Sequence, residues 1–104
     1  MSVVLVYITT ENRAEAEKIG GMLVERRLAA CANIIEGMRS IFWWEDKLDQ
    51  AEETILIIKT KEKLVGPLTE SVVAAHSYDC PCVVAIPIVG GNPEFIEWIN
   101  EETQ

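Results

Sequence analysis

Two cysteines and the only histidine of the chain lie close together near the C-terminal end of the sequence. Cys80 and Cys82 flank a proline, and His76 comes four residues before Cys80. Alternate residues of an extended segment project to the same side, so both thiols can reach one ion. Thiolates select soft ions such as Cu(I), and imidazole also binds copper. The spacing predicts metal ligands at His76, Cys80 and Cys82. The alternative is that the cysteines are two small residues packed at the start of a strand.

A second group of side chains is typical of a ligand cleft. Trp43 and Trp44 are adjacent, so on a strand they face opposite sides, and one of them is expected at a subunit interface. A pocket between subunits lined by tryptophan, Tyr78 and Lys59 would suit a small ligand, and Lys59 would favour an anion. The alternatives are tryptophans that only pack an interface and a lysine that extends into solvent.

The residues that most enzyme classes need are missing from the sequence. It has one histidine, and it contains no Gly-x-Ser-x-Gly, no glycine-rich phosphate loop and no His-Glu-x-x-His. Nothing in the pattern supplies an activated nucleophile or a metal-bound water. We therefore predict that the protein is not an enzyme.

The composition argues against several other classes of protein. The chain has 17 acidic residues against 9 lysines and arginines and a net charge of −8, the opposite of the basic surface that nucleic-acid binding requires. The first apolar run, residues 3–8, is too short for a signal sequence or a membrane span. Three cysteines favour reduced thiols over a disulfide framework, and Cys31, which lies among small apolar residues, is predicted to pack in the core. We expect a cytoplasmic protein that binds neither nucleic acid nor membrane, with residues 1–104 forming one domain.

Apolar runs and capping residues predict the elements that position these side chains. Runs rich in β-branched residues predict strands at residues 3–8, 28–35 with 40–44, 54–59 and 82–89. Asn12, with Glu15 completing a capping box, and Asn92 are predicted N-caps of the first and last helices. Thr60 is the predicted N-cap of a second helix that ends near His76. We expect a bend or bulge at Gly37 and close backbone packing at Gly20-Gly21.

The order of these elements defines the fold class. A β-α-β-β-α-β order with a further C-terminal helix predicts an α+β, ferredoxin-like fold with an antiparallel sheet and helices on one face. The other face of the sheet would then be apolar and uncovered, which favours burial against copies of the same chain. We expect a closed, symmetric assembly.

Five segments of the sequence closely resemble the CutA divalent-cation tolerance family. They are residues 28–34, 40–47, 58–60, 76–81 and 98–99. The resemblance implies a ferredoxin-like subunit, a homotrimer built by packing the sheets together, and a link to copper or other divalent metal ions. Members have also been proposed to act in signalling, because their trimer is similar to that of the PII regulators.

The metal ligands that this resemblance implies are only partly present. The family's proposed copper ligands are a cysteine late in the first strand and two consecutive histidines, and the corresponding residues here are Ile8, Ala75 and His76. Cys80 and Cys82 lie outside the usual pattern of the family. We expect a trimeric, non-enzymatic protein of divalent-metal (copper) tolerance and response that needs no cofactor to fold. The alternative is a PII-like signalling module that binds a small ligand or a partner protein at the intersubunit cleft.

Overall fold

The computed structural model describes residues 2–104, which form one four-stranded antiparallel sheet. The first two helices pack against one face, and the C-terminal helix lies at one end of the other face, where the centre of the Phe95 ring is 5.5 Å from Lys59 Nζ. Along the sheet the strands lie in the order β2-β3-β1-β4. This arrangement confirms the predicted α+β fold. The elements in chain order are β1 (Val3–Thr10), α1 (Arg13–Glu25), β2 (Cys31–Trp44), β3 (Lys47–Lys61), a 3₁₀ turn (Glu62–Leu64), α2 (Val65–Ala75), β4 (Val83–Pro87) and α3 (Pro93–Glu102).

Both predicted asparagine caps are present. The Asn12 side chain accepts a hydrogen bond from the Glu15 N–H at 2.9 Å, and the Asn92 side chain accepts one from the Glu94 N–H at 3.1 Å. Each bond satisfies an N–H that has no partner within its own helix. The Glu15 carboxylate returns to the N–H of Glu11 rather than to that of Asn12, so the capping box is displaced by one residue.

The hydrophobic core lies between the sheet and the helices α1 and α2. Alternate residues of β1 and β3 are buried there, among them Val6, Ile8, Leu56 and Ile58. Gly20 on α1 faces β2 and β3 at very short range: a Cβ on this residue would lie 3.0 Å from Leu56 Cδ1 and 3.1 Å from Ala32 Cβ. The glycine is therefore what lets the helix approach the sheet, which confirms the prediction for Gly20. It is wrong for Gly21, where a Cβ would meet nothing within 4 Å.

Two sequence predictions about this core are corrected. Thr60 does not cap a helix. It is a buried residue of β3 whose hydroxyl donates to the Leu28 carbonyl at 2.7 Å, and α2 begins only at Val65. A half-buried Cys31, which the sequence predicts as a core residue, lies opposite Lys59 on the uncovered side of the sheet.

The face of the sheet that α1 and α2 leave uncovered is apolar. Strand alternation places Tyr7, Ile35, Ile57, Val84 and Ile86 there, and Val84 and Ile86 are each 50% exposed. Monomers in solution seldom expose apolar patches of this kind.

The hairpin formed by β2 and β3 extends beyond the other two strands. The register shifts between Ile35 and Met38, where Gly37 has a φ of +81°, which confirms the predicted bulge. Beyond it, Ile41 and Trp43 are 72% and 74% exposed. None of the helices within residues 2–104 is long and apolar enough to cross a membrane.

Candidate functional site

A cleft with a volume of 630 Å³ lies where the end of β1, the hairpin and the segment before β4 meet. Its walls come from three parts of the chain that are far apart in sequence. The lining residues are Thr9, Ser40, Phe42, Trp44, Asp49, Ala51, Glu53, Ser77, Tyr78, Asp79, Cys80 and Cys82. This volume is within the range of small-molecule sites, about 300 to 1,000 Å³.

His76 lies behind this cleft and holds its wall in place. Its side chain is fully buried, Nε2 is 2.8 Å from the Thr9 carbonyl oxygen, and Nδ1 accepts the Tyr78 N–H at 3.1 Å. Because Nδ1 is an acceptor, the proton of the neutral ring is assigned to Nε2, which donates to Thr9. Both ring nitrogens are thus engaged, and a metal ion would have to displace one of these bonds.

Glu15 connects helix α1 to the same wall. Its two carboxylate oxygens accept the N–H groups of Glu11 and Ser77, both at 2.9 Å. Burial by itself would raise the pKa of this carboxyl, but these hydrogen bonds and the nearby His76 bring the pKa below its ordinary value. The ionised carboxylate is therefore the form that holds the wall.

The half-buried Tyr78 and the buried Glu53 form a hydrogen-bonded pair inside the cleft. The Tyr78 hydroxyl donates to Glu53 at 2.8 Å, and Glu53 is only 8% exposed. Burial, together with this hydrogen bond and the charge of Glu53, raises the pKa of Tyr78. The neutral phenol thus serves as a donor to an acidic side chain that the fold has removed from water.

Cys80 and Cys82 both line the cleft, as free thiols. Cys80 is exposed and Cys82 half-buried, and Cys82 precedes β4 rather than opening it. Burial and the charge of Glu53 raise the pKa of the Cys82 thiol, and a hydrogen bond with Thr9 partly offsets them. Within residues 2–104, no group of three or more histidines, cysteines and acidic residues is placed to hold a metal ion. The structure therefore brings two of the three predicted ligands together and leaves His76 behind them.

Of the residues predicted to form a ligand cleft, Tyr78 and Trp44 line it, but Lys59 and Trp43 do not. Lys59 donates to Asn33 at 2.9 Å on the uncovered face of the sheet, where its Nζ is 5.5 Å from the ring centre of Phe95. Trp43 projects from the opposite side of the hairpin from Trp44.

The lining residues that the sequence analysis missed include Phe42, Asp49 and Glu53. Phe42 carries a usable signal, since it is two residues from Trp44 and must share its side of a strand. Asp49 pairs with Phe42 across the hairpin, and Glu53 pairs with Met38. No local signal identifies these acidic residues, because the Gly37 bulge sets the register between the two strands.

The fold and the cleft define a small α+β protein whose relatives are known for metal tolerance. The sequence profile of the CutA1 divalent ion tolerance protein family matches residues 4–102, and the chain belongs to this family. The name refers to tolerance of divalent cations and not to a reaction.

Individual relatives agree with this assignment. The chain is 44% identical over 101 residues to the chloroplastic protein CutA 1 of Oryza sativa, and this match covers 97% of the chain but 57% of the rice protein. It is 43% identical over 99 residues to the divalent-cation tolerance protein CutA of Archaeoglobus fulgidus, covering 95% and 96% of the two chains. The chain thus spans a little over half the length of the plant relatives.

Solved structures of CutA proteins also superpose closely on this chain. The crystal structure of CutA1 from Oryza sativa superposes with a TM-score of 0.97 at 42% identity, covering 100% of this chain and 95% of that one. The structure of the periplasmic divalent cation tolerance protein CutA from Archaeoglobus fulgidus has a TM-score of 0.95 at 42% identity, covering 98% and 99%.

These relatives correct the prediction of a cytoplasmic location, which is wrong. The proteins of Oryza sativa and Arabidopsis thaliana are chloroplastic, and the Archaeoglobus fulgidus structure is described as periplasmic. The inference failed because it used one apolar run to place the whole protein. The same fold serves in more than one compartment, so the folded domain does not determine location.

Proposed function

We propose that this protein confers tolerance to copper or another divalent metal by capturing the ion with the thiols of Cys80 and Cys82, without catalysing a reaction. One observation carries the proposal: two free thiols, separated by one residue, line the same cleft of a chain that belongs to a divalent-cation tolerance family. Copper, as Cu(I), suits this donor set, because thiolates bind soft ions.

The chemistry of the thiols gives this capture a pH dependence. Thiolates, not thiols, bind metals, so each ligand must release a proton. The raised pKa of Cys82 makes that release less favourable at neutral pH. Affinity should therefore increase as the pH rises towards the pKa of this thiol. His76 becomes a third ligand only where it gives up its bond to Thr9 or Tyr78.

The proposed working form is a homotrimer assembled through the uncovered face of the sheet. Support comes from the apolar side chains on that face, including the half-exposed Val84 and Ile86. Burying apolar surface contributes roughly 25 cal/mol per Å², so a face of this kind favours association. Light scattering should give a solution mass three times that of one chain. A monomer would contradict this part of the proposal.

The capture step is tested by titrating the reduced protein with Cu(I) under oxygen-free conditions against a competing chelator. We expect one tightly bound ion per chain, and a loss of at least 100-fold in affinity in the double variant Cys80→Ser, Cys82→Ser. The matched control is Cys31→Ser, which removes the third thiol on the uncovered face and should leave the affinity unchanged. Equal binding by all three proteins would refute capture by the cleft thiols.

A second candidate function is a PII-like signalling module whose cleft binds a small ligand or a partner protein. The 630 Å³ volume and the presence of Tyr78 and Trp44 in its walls favour this candidate. It predicts a change in tryptophan fluorescence with an organic ligand and none with metal. Metal capture predicts a response to Cu(I) that requires the cysteines.

A further inference from the structure

The apolar face that α1 and α2 leave uncovered carries opposite charges at its two ends. Glu53 and Lys59 are six residues apart on β3, so strand alternation places both of them on this face, with Ile57 between them. Asp49 and Asp79 join Glu53 at the cleft end. No lysine, arginine or histidine is among the described residues that line the cleft. The negative end of the face is therefore the cleft, and the positive end lies at Lys59.

Within residues 2–104, neither Glu53 nor Lys59 has a partner of opposite charge. Glu53 is 8% exposed and accepts the Tyr78 hydroxyl, a neutral donor, at 2.8 Å. The half-buried Lys59 donates to the side-chain oxygen of Asn33, a neutral acceptor, at 2.9 Å. None of the ion pairs in this part of the chain includes either residue. They cannot pair with each other in one chain, because six residues of strand span about 20 Å.

Assembly through this face would remove both charges from water. A charge that is buried in this way destabilises an assembly unless an opposite charge and hydrogen bonds compensate for the lost hydration. The contacts around a closed ring of three chains are heterologous, so two different parts of the chain meet at each of them. The acidic end of one copy can therefore meet the lysine end of the next copy at every contact.

Lys59 is better placed for this contact than the other lysines on this side of β3. Lys61 donates to the carbonyl oxygens of Thr103 and Gln104, at 3.2 and 3.0 Å, and is thus engaged within its own chain. Lys47 is exposed at the tip of the hairpin, beyond the apolar part of the face. Lys59 is already half-buried and borders the apolar residues that assembly would cover.

We infer that Lys59 of one copy enters the cleft of the next copy and pairs with Glu53 there, so that the cleft is a site shared between two chains. The inference rests on the proposed homotrimer and names a contact at its interfaces. It does not depend on metal capture, because neither cysteine of the cleft takes part. It also places Lys59 in the pocket between subunits where the sequence predicts it, although within its own chain Lys59 lies outside the cleft.

A double-mutant cycle on assembly tests the pairing. Glu53→Gln and Lys59→Met each remove one charge with little change in size. Sedimentation at a fixed urea concentration measures the protein concentration at which half of the trimers dissociate. Each single variant leaves the opposite charge buried and unpaired, so we expect this concentration to rise at least tenfold. In the double variant both charges are absent, and the rise should stay within threefold of the larger single effect instead of reaching the product of the two.

Lys47→Met supplies the matched control for the cycle. It also removes a lysine from this side of β3, but at the tip of the hairpin. Its effect on assembly should multiply with that of Glu53→Gln, because the two residues are not expected to be partners. Coupling of Glu53 to Lys47, without coupling to Lys59, would overturn the inference.

The outcomes separate this pairing from the homotrimer itself. A trimer in which the effects of Glu53→Gln and Lys59→Met multiply would overturn the pairing and leave the trimer in place. A wild-type monomer at all concentrations would overturn both.

Should Glu53→Gln fail to fold, a carbodiimide applied to the wild-type protein decides instead, because this reagent joins a carboxylate to a lysine that is in contact with it. An amide between Glu53 and Lys59 of two different chains, mapped by mass spectrometry, would support the pairing. Its absence would overturn it.

Discussion

Removing one hydroxyl from Tyr78 should show how much its hydrogen bond to Glu53 contributes to stability. The variant Tyr78→Phe leaves the ring in place but deletes the donor that lies 2.8 Å from the Glu53 carboxylate. A hydrogen bond to a charged group contributes about 1.5 to 3 kcal/mol, and the carboxylate would stay buried without it. We therefore expect the free energy of unfolding to fall by about 2 kcal/mol.

Tyr7 supplies a matched control. Its hydroxyl lies 3.2 Å from the sulfur of Met38, which is a weak acceptor. Tyr7→Phe makes the same chemical change on the same side of the sheet, and the loss should be no more than about 0.5 kcal/mol, the lower bound for an ordinary hydrogen bond.

Urea unfolding followed by circular dichroism, at one fixed protein concentration, measures both variants. A fixed concentration is needed because association adds to apparent stability. Alkaline pH adds a second readout. The pKa of Tyr78 is raised above 10.0 in the folded protein, so its contribution is present below pH 10.0 and is lost as the pH rises through the folded pKa. The wild type should lose more stability above pH 10.0 than Tyr78→Phe does. Equal destabilisation by the two variants would refute the argument.

Two further predictions concern the supports of the site. Gly20→Ala should destabilise the protein by about 1 to 2 kcal/mol relative to Gly21→Ala, because a new Cβ is overpacked only at Gly20, while both variants gain the same helix propensity. Thermal and urea unfolding measure the difference. Equal stability of the two variants would contradict the close approach of α1 to the sheet. Glu15→Gln should flatten the acid side of the stability curve: the pKa of Glu15 is lowered in the folded state, so its contribution is present above the ordinary value of 4.5 and is lost as the pH falls through the folded pKa. A variant with the same acid dependence as the wild type would contradict the role given to this carboxylate.

The elements that local chemistry determines could be predicted from the sequence. The caps at Asn12 and Asn92 depend on a side chain and an N–H only a few residues apart, and both are present. The bulge at Gly37 and the close approach at Gly20 follow from what a missing Cβ allows, and both are confirmed.

Features that depend on distant partners could not be predicted. Thr60 has the polar side chain of a cap, but the carbonyl of Leu28, 32 residues away, holds it in a strand. Lys59 and Tyr78 were expected in one cleft, yet Lys59 lies on the same face of β3 but near the opposite end of β1 from the cleft, where it donates to Asn33 instead. Nothing in the sequence indicates that Glu53 is buried, because its burial arises from the way the hairpin and the segment before β4 enclose the cleft.

The two hydrogen bonds to the imidazole of His76 are the clearest example of a feature that could not be predicted from the sequence. The sequence offers the only histidine as a metal ligand, and a ligand needs a free nitrogen lone pair. In the fold both nitrogens are engaged, with Thr9 and with the backbone of Tyr78. No pattern of residue types shows this, because one of the two partners is a carbonyl 67 residues away. We therefore expect the imidazole to keep these two partners and to stay out of the metal site.

X-ray absorption of the protein loaded with one Cu(I) per chain tests the central claim most directly, because it reports the atoms bound to copper. The account predicts two sulfur ligands, from Cys80 and Cys82, with no imidazole scattering and an unchanged spectrum in His76→Gln. A spectrum with nitrogen or oxygen ligands only, retained in the Cys80→Ser, Cys82→Ser double variant, would contradict it.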